Sequence, residues 1–243
     1  MDFKIIIYII FGILPSLTWL SYYLRKDVHP ESNRNIIMVF LWGAMATAPV
    51  FFIQIGAAYL LERVESFLPP FVVSLIFWFL IISFTEEFFK YLVIKKKIIN
   101  NKELDEPLDI MLYMIISALG FAALENILYL ISPPGNLSFQ ALMGRTMAIS
   151  FLRFIGATFL HTLCSGLLGY FLAVSFCETK RKTVIFLVGL FLATLLHGLY
   201  DFSIMTLELP IKVIIPLAIL VILAIFMISW FEKLKKLKSV CKI

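Results

Sequence analysis

Apolar residues run along the chain in seven long blocks, and short polar connectors separate them. Each block has roughly 20 residues or more, the length a helix needs to cross about 30 Å of hydrocarbon. Within the blocks apolar and polar residues do not alternate, so the strands of a membrane β-barrel are not indicated. Because lipid leaves backbone polar groups without partners, the pattern predicts membrane-spanning α-helices. We place the spans at about 5–24, 36–61, 71–94, 107–131, 147–177, 184–208 and 211–231.

Composition supports a membrane protein and leaves no room for a soluble domain. Of the 243 residues, 61% are hydrophobic and 15% are charged, and the mean hydropathy is +0.97. Soluble domains have about 45–50% apolar and about 25% charged residues. No connector is long enough to fold by itself. The predicted fold is therefore an all-α polytopic membrane helix bundle of about seven helices, in which residues 1–243 form one integral membrane domain.

The basic residues cluster at one set of span ends. Fifteen of the lysines and arginines lie there, whereas the opposite ends carry only Lys4, Arg63, Arg145 and Lys212. The positive-inside rule puts the basic ends in the cytoplasm, so we expect an outside N-terminus and a cytoplasmic C-terminus. This distribution also explains the net charge of +5 without a nucleic-acid partner.

Eight charged or histidine residues lie deep inside spans three to six, where lipid would surround them unless they meet one another. A charged side chain at the centre of a bilayer costs about 2.5–3.5 kcal/mol or more. Such residues therefore face a partner or a wet cavity, and they mark transport paths or catalytic sites. They are Glu86, Glu87, Lys90, Glu125, Arg153, His161, His197 and Asp201.

The spacing of these residues favours one shared site. Lys90 follows Glu87 by three residues and Glu86 by four, so the three share one sector of a helix. His197 and Asp201 are four residues apart, which places an imidazole beside a carboxylate. Each pair alone could be a packing contact, but acids and imidazoles on four spans favour a functional site.

The motifs of several known hydrolase classes are missing, which limits the reaction mechanisms that the sequence allows. The string Leu163–Gly166 lacks the first glycine of a GxSG nucleophile motif, Asp201 has no second mid-span aspartate, and no HExxH motif occurs. The remaining mechanism is a glutamate that activates water, with histidines that position the water. Two alternatives stay open: a zinc site, since two histidines with carboxylates suit that ion, and a non-enzyme such as a proton-coupled transporter or a receptor.

Four sequence blocks resemble those of the PrsW family. They are EExxK at Glu86–Lys90, GFAxLEN at Gly120–Asn126, HxxxxxxxG at His161–Gly169 and HGxYDF at His197–Phe202. PrsW proteins are bacterial membrane proteases implicated in degrading membrane-anchored anti-sigma factors. The blocks are more distantly similar to the type II CAAX prenyl endopeptidases, but Lys90, Glu125 and Asp201 depart from that pattern and favour PrsW.

The resemblance implies an intramembrane peptidase of the bacterial cell membrane that acts on a membrane-anchored protein. Its proposed general base is Glu86 or Glu87, tuned by Lys90 and by the other glutamate. His161 and His197 would orient the water or donate to the oxyanion. Glu125, Asn126 and Asp201 would complete the polar surroundings. We expect no cofactor; if zinc is needed, the ligands expected are Glu125, His161, His197 and Asp201. The sequence favours no oligomeric state.

The depth of these residues predicts the side on which the substrate is cut. If the third span continues to Ile99, the polar residues lie roughly 20–27 Å from the basic ends, beyond the bilayer midplane. If it stops at Ile94, Glu86 lies only about 12 Å from that end. On the longer helix we expect cleavage in the outer leaflet or on the extracytoplasmic side.

Overall fold

The protein is a bundle of α-helices. The computed structural model describes residues 3–27, 29–101, 103–131, 137–178 and 180–237, and these ranges contain no strand. The all-α prediction is confirmed. The helices are α1 (Phe3–Leu24), α2 (Asn33–Val64), α3 (Pro70–Leu75), α4 (Thr85–Lys97), α5 (Pro107–Ile131), α6 (Phe139–Ile155), α7 (Ala157–Cys177), α8 (Lys182–Thr206) and α9 (Ile211–Lys236). A short 3₁₀ turn (Glu65–Phe67) follows α2, and a π-helical segment (Ile76–Phe84) joins α3 to α4.

In the described part of the chain, seven helical stretches are long and apolar enough to cross a membrane, as predicted. Two of them contain more than one α-helix. The third span, Pro70–Lys97, contains α3, the π-helical segment and α4. The fifth span, Phe139–Cys177, contains α6 and α7, and it begins earlier than the predicted residue 147. The third span ends at Lys97, between the two ends that the sequence left open.

Helix α5 forms the centre of the bundle. Every side chain from Leu108 to Ala123 is buried, and the helix packs against α1, α2 and α7. The outer helices instead expose large apolar side chains, among them Phe52 on α2 and Ile228 on α9. A lipid solvent favours this arrangement, in which apolar groups face outward and polar groups face inward.

Two glycines bring α2 and α5 into backbone contact. A Cβ atom on Gly43 would lie 2.1 Å from the carbonyl oxygen of Ser117, and one on Gly120 would lie 1.9 Å from that of Phe40. Only a residue without a side chain allows so close an approach. The small residues of the Gly120–Asn126 block thus set the distance between these helices.

The π-helical segment ends at Phe84, two residues before the first of the paired glutamates. Inside it the Ser83 hydroxyl donates to the carbonyl oxygen of Trp78 (2.7 Å), and the Thr85 hydroxyl that follows donates to that of Ile81 (2.6 Å). A π-helical turn holds more residues than an α-helical one, so it rotates the side chains that follow, and such turns occur frequently at functional sites. The hydrophobic pattern did not predict this segment.

Candidate active site

A cavity of about 580 Å³ lies among α2, the π-helical segment, α4, α5, α6, α7 and α8. Its walls carry aromatic and aliphatic side chains such as Phe77, Trp78 and Ile204. Seven polar residues with acidic, basic or amide groups share the lining: Gln54, Glu86, Glu125, Arg153, His161, His197 and Asp201. Five of the eight site residues predicted from the sequence therefore reach one cavity. The other three, Glu87, Lys90 and Asn126, are buried beside it.

Glu87 is fully enclosed and its two oxygens are occupied. Oε1 accepts from Lys90 Nζ (2.8 Å) and from His197 Nδ1 (2.9 Å), and Oε2 accepts from the Ser165 hydroxyl (2.7 Å). The side chain is 0% exposed and does not line the cavity. Glu87 therefore connects α4 to α7 and α8.

Glu86 has a different environment. Its Oε1 accepts from Gln54 Nε2 (3.2 Å), whereas its buried Oε2 has no hydrogen-bond partner among the residues that the structure describes. Lys90 Nζ, His197 Nε2 and His161 Nδ1 lie 3.7, 3.8 and 3.9 Å from Oε2. Buried carboxylate oxygens are normally hydrogen-bonded, and an exception at a cavity wall is a candidate for chemistry.

Lys90 determines the proton position on His161. Its Nζ lies 2.8 Å from His161 Nδ1 and 2.8 Å from Glu87 Oε1, in the helical sector that the spacing predicted. An ammonium group can only donate, so Nδ1 accepts and the ring proton lies on Nε2. Nε2 then donates to Glu125 Oε2 at 2.8 Å. Both nitrogens of His161 are used inside the protein.

His197 differs from His161 in the ring nitrogen that donates to a glutamate. Its Nδ1 donates to Glu87, and its Nε2 faces Asp201 Oδ2 at 3.4 Å and Glu86 Oε2 at 3.8 Å. The predicted pairing of His197 with Asp201 is present. Two acceptors repel, so the pairing with Asp201 needs a proton between Nε2 and Oδ2, and this end of the ring faces the carboxylates of the cavity.

Arg153 and Asn126 form the other end of the cluster. Arg153 Nη2 lies 2.9 Å from Glu125 Oε2, Nε donates to Asn126 Oδ1, and the guanidinium stacks over the Tyr129 ring. Asn126 Nδ2 donates to the Thr158 hydroxyl (3.1 Å) and to the carbonyl of Gly12 (3.2 Å). Asn126 therefore joins α5 to α1, α6 and α7. Its side chain is buried among these helices and does not line the cavity.

Sequence reasoning missed Gln54 and gave no role to Arg153. Both line the cavity and both bond to one of its glutamates. An isolated amide within the apolar stretch 50–58 of α2 was the available signal for Gln54. Arg153 was recognised as a charge inside a span, but no motif contained it.

Three buried donor atoms could hold a metal ion. Glu86, His161 and His197 each offer one atom, and the three atoms lie within 4.8 Å of one another. The partnerless Oε2 of Glu86 fits such a site, and three protein ligands suit zinc. These three residues differ from the ligands expected from the sequence, which included Glu125. Glu125 bonds to Nε2 of His161, the ring nitrogen that points away from Glu86. His161 Nδ1 also has Lys90 Nζ at 2.8 Å, so that ammonium would have to move for a cation to bind.

A seven-span helical bundle with acids and imidazoles around an internal cavity defines a polytopic membrane protein with a buried reactive site. Residues 31–230 match the family model described as PrsW family intramembrane metalloprotease, and the chain belongs to the PrsW family.

Curated relatives agree with this family. A protein named Protease PrsW from Oceanobacillus iheyensis is 32% identical over 191 residues, covering 79% of this chain and 80% of the relative. Protease PrsW from Bacillus subtilis is 30% identical over 233 residues and 94% of each chain. No solved structure matches the chain. The protein is a peptidase and a multi-pass protein of the bacterial membrane, as the sequence predicted.

Proposed function

We propose that the protein hydrolyses peptide bonds of membrane-anchored proteins and that Glu86 is the general base. The observation that carries this proposal is the contrast between the two adjacent glutamates. Glu87 has both oxygens bonded and lies outside the cavity lining, while Oε2 of Glu86 lies at the cavity wall without a hydrogen bond to any described residue. A general base needs a carboxylate oxygen that can reach a water and its proton.

In the proposed reaction, Glu86 Oε2 takes a proton from water as the oxygen attacks the scissile carbonyl carbon. His197 Nε2, 3.8 Å from that oxygen, helps to orient the water. The protonated Glu86 then gives its proton to the leaving nitrogen as the carbon–nitrogen bond breaks. The proton count is thereby balanced within one carboxyl group.

The oxyanion needs a donor, and the ring nitrogens of both histidines already face Lys90 or a carboxylate. The ring protons of His161 and His197 point to Glu125 and Glu87. Arg153 is the one arginine or lysine among the described residues that line the cavity. We assign it to stabilising the negative charge on the carbonyl oxygen, a role that cationic donors fill in a water-poor site.

The substrate in this proposal is a single-pass membrane protein. A cavity of about 580 Å³ is large enough for a short extended stretch of chain. Its lining includes exposed side chains on α2, α5, α6 and α8, namely Phe51, Tyr129, Leu152 and Met205, so the cavity is open toward the bilayer. The family resemblance adds membrane-anchored anti-sigma factors as the substrate class, and all seven spans form one protease domain in this proposal.

A zinc-dependent reaction is the second candidate. It is favoured by the convergence of Glu86, His161 and His197 and by the word metalloprotease in the family description. These three residues would hold the ion, which would act as a Lewis acid and activate a bound water. Against it stands the Lys90 ammonium 3.7 Å from Glu86 Oε2, because like charges repel strongly at that distance in a buried site. We therefore propose metal-free glutamate catalysis.

One experiment tests both parts of the proposal. Purified protein in detergent is given a fluorescent single-pass substrate, and metal content is measured by elemental analysis. We expect cleavage by the wild type, none by the Glu86→Gln/Glu87→Gln variant, and full activity after chelation. Cleavage by the double variant would overturn the glutamate role. Stoichiometric zinc whose removal abolishes activity would establish the second candidate instead.

A further inference from the structure

Gln54 is a polar residue in an otherwise apolar part of α2. The residues from Val50 to Ala58 on either side of it carry aromatic, aliphatic or no side chains. An amide without hydrogen bonds in an apolar medium costs about 2–7 kcal/mol, so its presence there needs a partner. Its partner is Glu86, whose Oε1 lies 3.2 Å from Gln54 Nε2.

The same amide nitrogen also contacts the residue before Glu86. Gln54 Nε2 lies 3.4 Å from the Thr85 hydroxyl oxygen. The Thr85 hydroxyl donates its own proton to the carbonyl oxygen of Ile81, so its lone pairs can accept a hydrogen bond. An amide NH₂ group has two protons and can serve both acceptors. Gln54 thus holds the end of the π-helical segment and the first turn of α4 against α2.

The bond to Oε1 decides which oxygen of Glu86 is available. With Oε1 held by α2, the carboxylate cannot rotate freely, and Oε2 stays near His161 and His197. A neutral donor does this without adding a second cation beside Lys90. Catalytic groups lose activity when their orientation is released, and a displacement of about 1 Å can cost about a hundredfold in rate.

We propose that Gln54 is a positioning residue for Glu86: its amide holds Oε1 so that Oε2 faces the cavity as the base. The inference rests on the proposed function of Glu86. Gln54 acts through the glutamate, so its loss lowers turnover and leaves substrate affinity nearly unchanged.

The test is the Gln54→Met variant, which keeps the length of the side chain and removes both donor protons. The matched control is Ile55→Met, on the neighbouring residue of α2, which is exposed and does not line the cavity. Purified variants are compared for kcat, KM and thermal unfolding with the single-pass substrate. We expect Gln54→Met to lose about tenfold or more in kcat, with KM close to that of the control and with a folded protein that unfolds in a single transition. If Gln54→Met does not purify, Gln54→Asn, whose amide is one carbon too short to reach, carries the same expectation.

Two results would overturn the inference. A kcat within twofold of the Ile55→Met control would show that Glu86 needs no support from Gln54. A rise in KM with unchanged kcat would make Gln54 a substrate-binding residue. Failure of the underlying function has a different signature, since Glu86→Gln would then cleave as fast as the wild type.

Discussion

At the scale of single residues, six ionisable groups of the site pair with one another along one continuous chain of contacts. It runs from His197 through Glu87 and Lys90 to His161, and from there to Glu125 and Arg153. A charge removed from water is tolerated when it is paired and its remaining lone pairs and protons are bonded. The contacts therefore explain how several ionisable groups remain at membrane depth.

The hydroxyl of Ser165 contributes to this chain, and its removal provides a test. Ser165 donates to Glu87 Oε2 at 2.7 Å, and both side chains are fully buried. Ser165→Ala leaves that carboxylate oxygen without a partner, so we expect it to lower the free energy of unfolding by about 1–3 kcal/mol. Unfolding in detergent, followed by heat or denaturant, measures the change.

Ser175→Ala is the matched control on the same helix. Its hydroxyl is equally buried but donates to the backbone carbonyl of Leu172, which loses no essential partner. We expect a clearly smaller loss. Equal losses for the two variants would show that Glu87 does not depend on Ser165.

The sequence predicted contacts within one helix but not those that join helices. The spacing of Glu86, Glu87 and Lys90 predicted their common sector, and the spacing of His197 and Asp201 predicted their pairing. The different surroundings of the two adjacent glutamates could not be predicted. They depend on which donors α2, α7 and α8 bring to each oxygen, and no periodicity within one helix carries that information.

At the scale of helices, the hydrophobic pattern predicted seven spans but not the irregularities inside two of them. The π-helical segment and the break at Gly156 between α6 and α7 are invisible to a pattern of apolar residues, since apolar residues continue through both. Gly156 is placed by a tertiary contact, because a Cβ atom there would lie 2.6 Å from the Tyr200 hydroxyl oxygen. Such local geometry is set by neighbouring helices.

The close contact of α2 with α5 gives a prediction at this scale. In Gly120→Ala the new methyl group would meet the Phe40 carbonyl oxygen at 1.9 Å, so α2 must move away. We expect a loss of about 1–3 kcal/mol in the free energy of unfolding, as for other overpacked sites. Turnover should fall as well, because α2 carries Gln54.

Gly144→Ala on α6 is the control, since a Cβ atom there would meet no atom of the described residues within 4 Å. We expect its stability to be unchanged or slightly higher, because alanine favours a helix more than glycine does. Similar destabilisation of both variants would contradict the packing argument.

At the scale of the whole molecule, the site lies away from the basic span ends. Glu125 is about 18 residues from the start of α5 and Asp201 about 19 from the start of α8, or roughly 27–29 Å. Along the third span, Glu86 is about 11 residues from Lys97, or roughly 16 Å. The site residues therefore extend from near the bilayer midplane toward the membrane face opposite the basic span ends.

This depth predicts the side of cleavage. With the basic ends in the cytoplasm, as the positive-inside rule predicts, the scissile bond lies in the outer leaflet or at its extracytoplasmic edge. A single-pass substrate of known orientation is cleaved in vesicles, and mass spectrometry identifies both fragments. A cut at the cytoplasmic flank would show that the orientation or the depth is wrong.

The central claim is that the two adjacent glutamates have different roles, and single variants separate them. Glu86→Gln keeps the volume and the acceptor for Gln54 while removing the base, so we expect at least about a hundredfold loss of kcat with wild-type thermal stability. Glu87→Gln breaks the bridge between Lys90 and His197, so we expect a lower unfolding temperature with a smaller loss of kcat. The measurement is kcat and thermal unfolding of both purified variants on one single-pass substrate. Wild-type turnover in Glu86→Gln, or a larger loss of kcat in a stable Glu87→Gln, would contradict the account.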